Sequence, residues 1–550
     1  MMPPFLRRQS GADACLGGPL VQNPDFDAQR RGMGRFFTPM HFRALPFSRP
    51  APRRRRKAED RTPQDSRRAP LGVARRLPDV SPAMKFISTR GKAPAIGFRA
   101  AVLSGLAADG GLYMPAGWPA FPAAALEAFA HVPFAEAAAH VLAPYAGIEI
   151  GADRLKAMAA RAYAPFGHDA VAPLHPLTDD TDILELFHGP TLAFKDVAMR
   201  MLAELYGWAL EGAARGKTII GATSGDTGGA AVAAFAGRAN VEVFMLHPEG
   251  RISDVQRRLM TTATAPNIRN IAIEGTFDDC QRIVKALFAD EALGRACDLG
   301  GVNSINWVRL AVQSTYFLTA AARRPGAAFI VPTGNFGDIF AGFAAKRMGA
   351  ATGALVAATN RNDIVRRAIE TGEYAPAGVD ATTSPSMDIQ VASNFERLLF
   401  EASGRDAASV SALMEAFART GRFTIPAPWR AAIAADFAAA RADEAAVSAM
   451  MRRVYEERGT LVDPHTAVGL AAALALRASG RLHGRAVCLA TAHPAKFPDA
   501  VEAATGVRPG LPARLSALMS ASERFDRAPA EAGAVRAYIL ANSLYTERRS

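Results

Sequence analysis

Lys217-Thr218-Ile219-Ile220-Gly221-Ala222-Thr223-Ser224-Gly225-Asp226-Thr227-Gly228-Gly229 begins as an apolar run and breaks into a glycine-rich turn. Ala230 to Ala236 follows with helix-forming residues, and Val241 to Leu246 is apolar again. Strand, tight turn, helix and returning strand make one βαβ unit. The order recurs at Ala328 to Pro332, the turn Thr333 to Asp338, a helix to Met348 and the run Leu355 to Thr359. Further out, Ile183 to Phe187 leads into His188-Gly189-Pro190-Thr191, and Ala486 to Ala490 leads into Thr491-Ala492-His493-Pro494. Alternation of this kind predicts an α/β fold with parallel sheets and ligands beyond the carboxyl ends of the strands. Lys85 to Arg90 predicts a short opening strand, and Ala-rich helical stretches fill the interval to about Ala164.

Four polar points interrupt this framework. Leu192-Ala193-Phe194-Lys195-Asp196-Val197 places an amine in an apolar stretch. Desolvation lowers a lysine's pKa and frees its lone pair to attack a carbonyl, although a lysine snorkelling from a helix end or paired with Asp196 has the same sequence appearance. In Pro332-Thr333-Gly334-Asn335-Phe336-Gly337-Asp338 the glycines let backbone approach a phosphate at a helix start. That turn is neither a Walker loop nor a dinucleotide GxGxxG. Thr223 to Gly229 offers hydroxyls and amides suited to a carboxylate, against the plainer role of Ser224 or Asp226 as a helix cap. Asn303-Ser304-Ile305-Asn306-Trp307-Val308-Arg309 would bring an amide, a hydroxyl and a guanidinium onto a phosphate. An amine nucleophile with one cradle for a cofactor phosphate and another for a carboxylate describes a pyridoxal 5'-phosphate site.

Composition narrows the alternatives. The formal charge is +12, but residues 1–83 hold 17 Lys/Arg against 7 Asp/Glu and account for +10 of it. The body is nearly neutral, which removes the case for a nucleic-acid partner. The 1–83 leader, with its basic run Arg53 to Lys57, is expected to be disordered. It reads either as a basic tail or, preferably, as translated upstream sequence before a start at Met84. Four cysteines (Cys15, Cys280, Cys297, Cys488) show no paired spacing, so no metal site or disulfide framework is expected. No apolar run reaches the roughly 18 residues of a membrane span, and a cytoplasmic location is expected.

With these residues in view, the chain resembles the threonine synthase family, in its longer bacterial and fungal branch. The resemblance runs through Met84 to Gly91, Ala108-Asp109-Gly110-Gly111-Leu112-Tyr113, His188 to Asp196 and Gly221 to Gly228. It continues through Asn303 to Tyr316, Gly334 to Asp338, Met387-Asp388-Ile389, Ser393-Asn394-Phe395-Glu396-Arg397, Asp463 to Ala467 and Thr491 to Phe497. It implies a fold type II pyridoxal-phosphate enzyme, similar to the tryptophan synthase β subunit, with two open α/β sheet domains and the active site between them. The implied segments are 84–180, family-specific; 181–510, catalytic; and 511–550, a helical tail.

The resemblance also implies roles. Lys195 would bind the cofactor covalently and serve as acid and base; Gly334, Asn335, Phe336, Gly337 and Asp338 would hold the cofactor phosphate; Thr491 would face the pyridine nitrogen. Ser224, Asp226 and Thr227 would surround the substrate carboxylate, and Asn303, Ser304 and Arg309 would take the substrate phosphate. The implied reaction turns O-phospho-L-homoserine and water into L-threonine and phosphate, in a monomer or homodimer without nucleic-acid or membrane partners. A phospholyase or dehydratase of the same fold is the alternative. Among neighbouring residues, His188 is expected to be satisfied by backbone, His493 to support the Thr491 turn and Asp388 to be structural. Glu396 and Arg397 are expected to pair, and Phe194 and Phe336 to line the cofactor pocket.

Overall fold

The computed structural model describes residues 84–545; the expectations for the leader fall outside the described residues. One sheet has six strands in the order Phe437–Arg441, Leu355–Thr359, Ala328–Pro332, Ala486–Ala490, Thr181–Glu185 and Leu174–Pro176. All neighbours are parallel except the last pair. The second sheet, parallel throughout, runs Asp526–Pro529, Ile268–Glu274, Val241–Pro248, Lys217–Ala222 and Leu299–Gly300. Its strand Val241–Pro248 is buried at every position, as expected of a parallel strand covered on both faces.

One core cluster joins residues of both sheets with the helices between them. Its centre is the helix Trp307–Arg323, which buries every residue from Trp307 to Ala321. The helix is thus enclosed by protein on every face, its polar side chains Arg309, Gln313, Ser314, Thr315 and Thr319 included. It packs against the helices Lys195–Ala209, Gly337–Arg347 and Phe134–Ala146. A single rigid element therefore fixes the lysine helix relative to the helix that starts at the Gly334 turn. Among the described residues no helix is long and apolar enough to cross a membrane.

Three boundaries differ from expectation. The helix after Lys217–Ala222 starts at Asp226, four residues early, because the Thr223 hydroxyl accepts the amides of Gly225 and Gly228, both at 2.9 Å. Gly228 is required there: a Cβ would lie 2.5 Å from Thr223 Cγ2 and 2.6 Å from Met260 Sδ. The strand before the lysine segment ends at Glu185, after which His188 turns back so that its Nε2 lies 2.7 Å from Glu185 Oε2. That carboxylate, not backbone, satisfies His188. Of the segment 511–550, the described residues to 545 are helical only in part: Asp526–Pro529 pairs with Ile268–Glu274, covering what would be an open sheet edge, before the helix Ala532–Asn542.

Candidate active site

The parallel strands end on a shared cleft, at the carboxyl ends where ligands of open α/β sheets bind. The strand Ala328–Pro332 delivers Thr333 to Asp338, Ala486–Ala490 delivers Thr491 and Ala492, and Lys217–Ala222 delivers Asp226 and Thr227. Lys195 enters as the first residue of its helix, held in place by the Phe194 amide donating to the Thr491 carbonyl at 2.9 Å. Its Nζ lies 3.2 Å from Asp226 Oδ2 and 4.7 Å from the centre of the Phe194 ring.

Electrostatics at the lysine favour reactivity. Burial pulls the Lys195 amine down from its ordinary value; Asp226 opposes this, and Lys496 and Arg309 reinforce it. Burial works against the Asp226 charge, but the ammonium groups of Lys496 and Lys195 hold its carboxyl well below the usual range. Asp196 is not the lysine's partner. It accepts the Thr191 amide at 2.7 Å and the Thr191 hydroxyl at 2.6 Å, fixing the loop that leads into the helix.

The opposite wall is shaped for an anion. Phe336 sits in the left-handed region at φ 63° and turns the chain into the helix Gly337–Arg347. A Cβ on Gly334 would stand 2.8 Å from the Ser386 carbonyl oxygen, so only glycine allows the loop this path. Arg309 is 3% exposed, and its Nε and Nη1 are buried without a hydrogen-bond partner. Burial pulls this guanidinium down to about 10. Asp338 receives the Tyr316 hydroxyl on one oxygen, leaves the other buried and unbonded, and is pushed up to about 7 by burial. An unpaired guanidinium beside a carboxyl that is half-protonated near neutrality is suited to receive an anion.

Three family models match the chain. "Threonine synthase N terminus" covers residues 85–163, "Pyridoxal-phosphate dependent enzyme" residues 183–427, and "Threonine synthase, C-terminal" residues 466–539. The threonine synthase of Pseudomonas aeruginosa is 45% identical over 462 residues, covering 83% of this chain and 98% of its own. The chain belongs to the threonine synthase family. The Schizosaccharomyces pombe threonine synthase is 41% identical over 77% of this chain and 90% of its own. A crystal structure of PLP-bound threonine synthase from Brucella melitensis superposes with a TM-score of 0.81 at 49% identity, covering 84% of this chain and 100% of that one.

The cofactor of this threonine synthase family member is pyridoxal 5'-phosphate, and the residues present fit it: a desolvated amine, a glycine-gated turn and an orphaned guanidinium share one cleft. Of the residues expected to form the site, Lys195, Asp226, Thr227, Ser304, Arg309, Gly334, Asn335, Phe336, Gly337, Asp338 and Thr491 line the cleft, as does Phe194. Ser224 and Asn303 do not. The hydroxyl that organises the Thr223 turn belongs to Thr223, and Asn303 Oδ1 is engaged by the Ile305 amide at 3.1 Å.

Sequence reasoning missed Gln313, Ser386, Met387 and His465 as cleft residues. His465 is oriented by Asp463 (Nδ1 to Oδ2, 2.7 Å), and its Nε2 accepts the Ser386 amide at 3.2 Å. His465 stood in a quoted motif; Ser386 carried no local signal. The expected Glu396–Arg397 pair is absent. Glu396 binds Arg90 at 2.8 Å, whereas Arg397 is fully buried and donates to the carbonyls of Ile305 at 2.6 Å and Tyr113 at 3.1 Å. Successive helix positions face different ways, so adjacent side chains do not meet. His493 accepts the Ala495 amide at 3.1 Å and Asp388 accepts from Asn360 at 2.7 Å, both structural contacts.

Proposed function

We propose that this chain is a pyridoxal-phosphate-dependent threonine synthase converting O-phospho-L-homoserine and water into L-threonine and phosphate by γ-elimination and β-addition. The observation that carries the assignment of the site is the convergence of the desolvated Lys195 amine with the unpartnered Arg309 guanidinium on the Gly334 turn.

Pyridoxal 5'-phosphate, when bound, supplies a carbonyl for covalent capture of an amine and an electron sink for carbon acids beside it. Lys195 holds the cofactor carbonyl in the resting enzyme. Gly334, Asn335, Phe336, Gly337 and Asp338 hold its phosphate, with the helix N-terminus supplying amides and dipole. Thr491 presents a neutral hydroxyl to the ring nitrogen. Asp226 and Thr227 orient the substrate carboxylate; Asp226 is tolerated there because its charge is already matched by two lysines. Ser304 and Arg309 take the substrate phosphate.

Lys195 Nζ, released when the substrate amine takes its place, lies at the start of a rigid helix and moves protons along one carbon chain. It takes the proton from Cα and hands it on before it takes one from Cβ; after phosphate leaves Cγ it returns the Cβ proton there, water bonds to Cβ as its remaining proton goes to the departed phosphate, and Cα regains its proton. Burial keeps a neutral amine accessible for these transfers. The enzyme acts in the cytoplasm as a monomer or homodimer, without nucleic-acid or membrane partners.

The experiment is Lys195→Ala. Turnover of phosphohomoserine to threonine and borohydride trapping of the cofactor on the chain should both vanish. A variant retaining both overturns the assignment, and wild-type enzyme releasing 2-oxobutyrate in place of threonine overturns the reaction.

A further inference from the structure

Lys496 is a second buried amine, set against the cleft residue Asp226, and the proton transfers above give it no task. Its side chain is 1% exposed. Its Nζ lies 2.6 Å from Asp226 Oδ1 and donates to the Thr191 carbonyl at 2.9 Å, while its own carbonyl accepts the Ser253 hydroxyl at 3.1 Å. Asp226 is thus shared. Oδ1 receives Lys496 and the Gln256 amide at 2.9 Å; Oδ2 receives Lys195 at 3.2 Å and the Ser386 hydroxyl at 3.1 Å. The tighter ion pair belongs to Lys496.

That order of distances matters. A buried carboxylate with Lys195 as sole cationic partner would hold it as an ammonium, useless as nucleophile or base. A carboxylate already neutralised by another cation exerts a weaker hold. When Lys195 leaves to bind the cofactor, Asp226 keeps a partner and is not stranded as a bare buried charge. We infer that Lys496 is a positioning residue that occupies Asp226 as its permanent counter-ion and so releases Lys195 for chemistry. The link to Thr191 adds a geometric role, tying Asp226 to the loop that Asp196 fixes ahead of Lys195.

The other charged or titratable groups around the lysine are few. Arg309 comes from the helix Trp307–Arg323, Asp338 from Gly337–Arg347, His465 from Pro464–Ala478, and Asp196 from the lysine helix itself. Asp338 is raised by its own burial to about 7, and Asp196 is committed to Thr191. Lys496 is the cation in direct contact with Asp226 besides Lys195. The Lys195 amine is lowered through burial first, with Asp226 opposing and Lys496 adding to the fall, in keeping with this division of labour.

The inference rests on Lys195 being the cofactor-binding lysine. Its test uses full-chain holoenzyme and reads the pH midpoint of the bound cofactor's visible absorbance transition, alongside the acid limb of kcat/KM. Lys496→Met should raise both midpoints by about one to three pH units, the effect of an opposite charge left unopposed within ~4–6 Å. Lys496→Arg should stay near wild type, and Asp226→Asn should move the absorbance midpoint down. In the Asp226→Asn, Lys496→Met double variant the midpoint should return towards wild type. Equal loss of activity at all pH values with an unmoved midpoint assigns Lys496 a merely structural role and overturns the inference. Should Lys496→Met not fold, an unmoved midpoint in Asp226→Asn overturns it equally. Borohydride trapping separates the two levels: Lys496→Met retains it, whereas failure of the cofactor-lysine assignment would show as trapping that survives Lys195→Ala.

Discussion

Arg309→Met should make the cofactor-free enzyme more stable while weakening its response to phosphate. The guanidinium is 3% exposed with Nε and Nη1 unbonded. Burial lowers it from 12.5 to about 10, and a shift of that size corresponds to about 3 kcal/mol carried at every pH below the lowered value. The independent measure agrees: an unsatisfied buried donor costs about 1–3 kcal/mol, and more when charged. Methionine retains the apolar stem and gives back less than about 1.5 kcal/mol in imperfect packing. The net expectation is a gain of about 1–3 kcal/mol, a rise of a few degrees in melting temperature.

The assay is thermal unfolding of cofactor-free protein at low ionic strength, with and without inorganic phosphate. Wild type should gain about 2.7 kcal/mol when phosphate reaches a hundred times its dissociation constant, and the variant, left with the Gly334 cradle alone, clearly less at the same concentration. A variant that melts below wild type and responds to phosphate as strongly as wild type would refute the claim that Arg309 is an unpaired anion receptor. Stability withheld in the empty state is the expected signature of a group arranged for a ligand.

Asp338→Asn tests the cradle's charge. Because burial raises the folded value to about 7, the native state keeps a proton that the unfolded chain releases near pH 4. Stability from this group is whole below about pH 4 and is lost as pH rises through about 7, by at most about 4 kcal/mol. The asparagine variant should therefore gain on wild type between pH 5 and pH 8 in chemical denaturation of the cofactor-free form; an unchanged difference contradicts the raised pKa. Gly334→Ala forces a methyl to 2.8 Å from the Ser386 carbonyl oxygen and 3.3 Å from Met387 Cα, both backbone. Displacing the turn by a fraction of an ångström should weaken cofactor retention by about tenfold or more. Gly294→Ala, with nothing within 4 Å, is the control that should leave retention alone; equal effects of the two substitutions would remove the steric argument.

The framework was legible because parallel strands buried on both faces are written as continuous apolar runs. Ala328–Pro332, Leu355–Thr359 and Ala486–Ala490 fall where the sequence pattern puts them. Helix starts were less legible where glycine hides inside a helix: the first turn from Asp226 holds Gly228 and Gly229, which propensity alone assigns to a loop. The cleft was half legible. Its turns carry glycine and polar residues at strand ends, a local signal. Ser386 comes from a 3-10 turn without glycine, Gln313 sits one helical turn beyond Arg309 with no local mark, and nothing local distinguishes a lysine at a 3-10 turn from a solvated one. Arg397 misleads in the opposite direction, since its sequence neighbour Glu396 offers a charge that helix geometry forbids it to use.

Charge imbalance connects these pieces. Around the cleft stand three cations, Lys195, Lys496 and Arg309, against Asp226, which is firmly ionised, and Asp338, which burial brings close to neutrality. Such a surplus inside protein is costly in the empty enzyme and becomes favourable when anions arrive. Pyridoxal 5'-phosphate brings one phosphate; a phosphorylated amino acid brings a carboxylate and a second phosphate. A hydroxy amino acid brings the carboxylate alone and leaves part of the surplus unmatched. Sites with buried polar groups reject substrates that fail to pair them far more strongly than apolar pockets reject a missing methylene. The same electrostatics that keep Lys195 reactive therefore favour a substrate whose leaving group is phosphate over one whose leaving group is hydroxide, and they do so before any bond is broken.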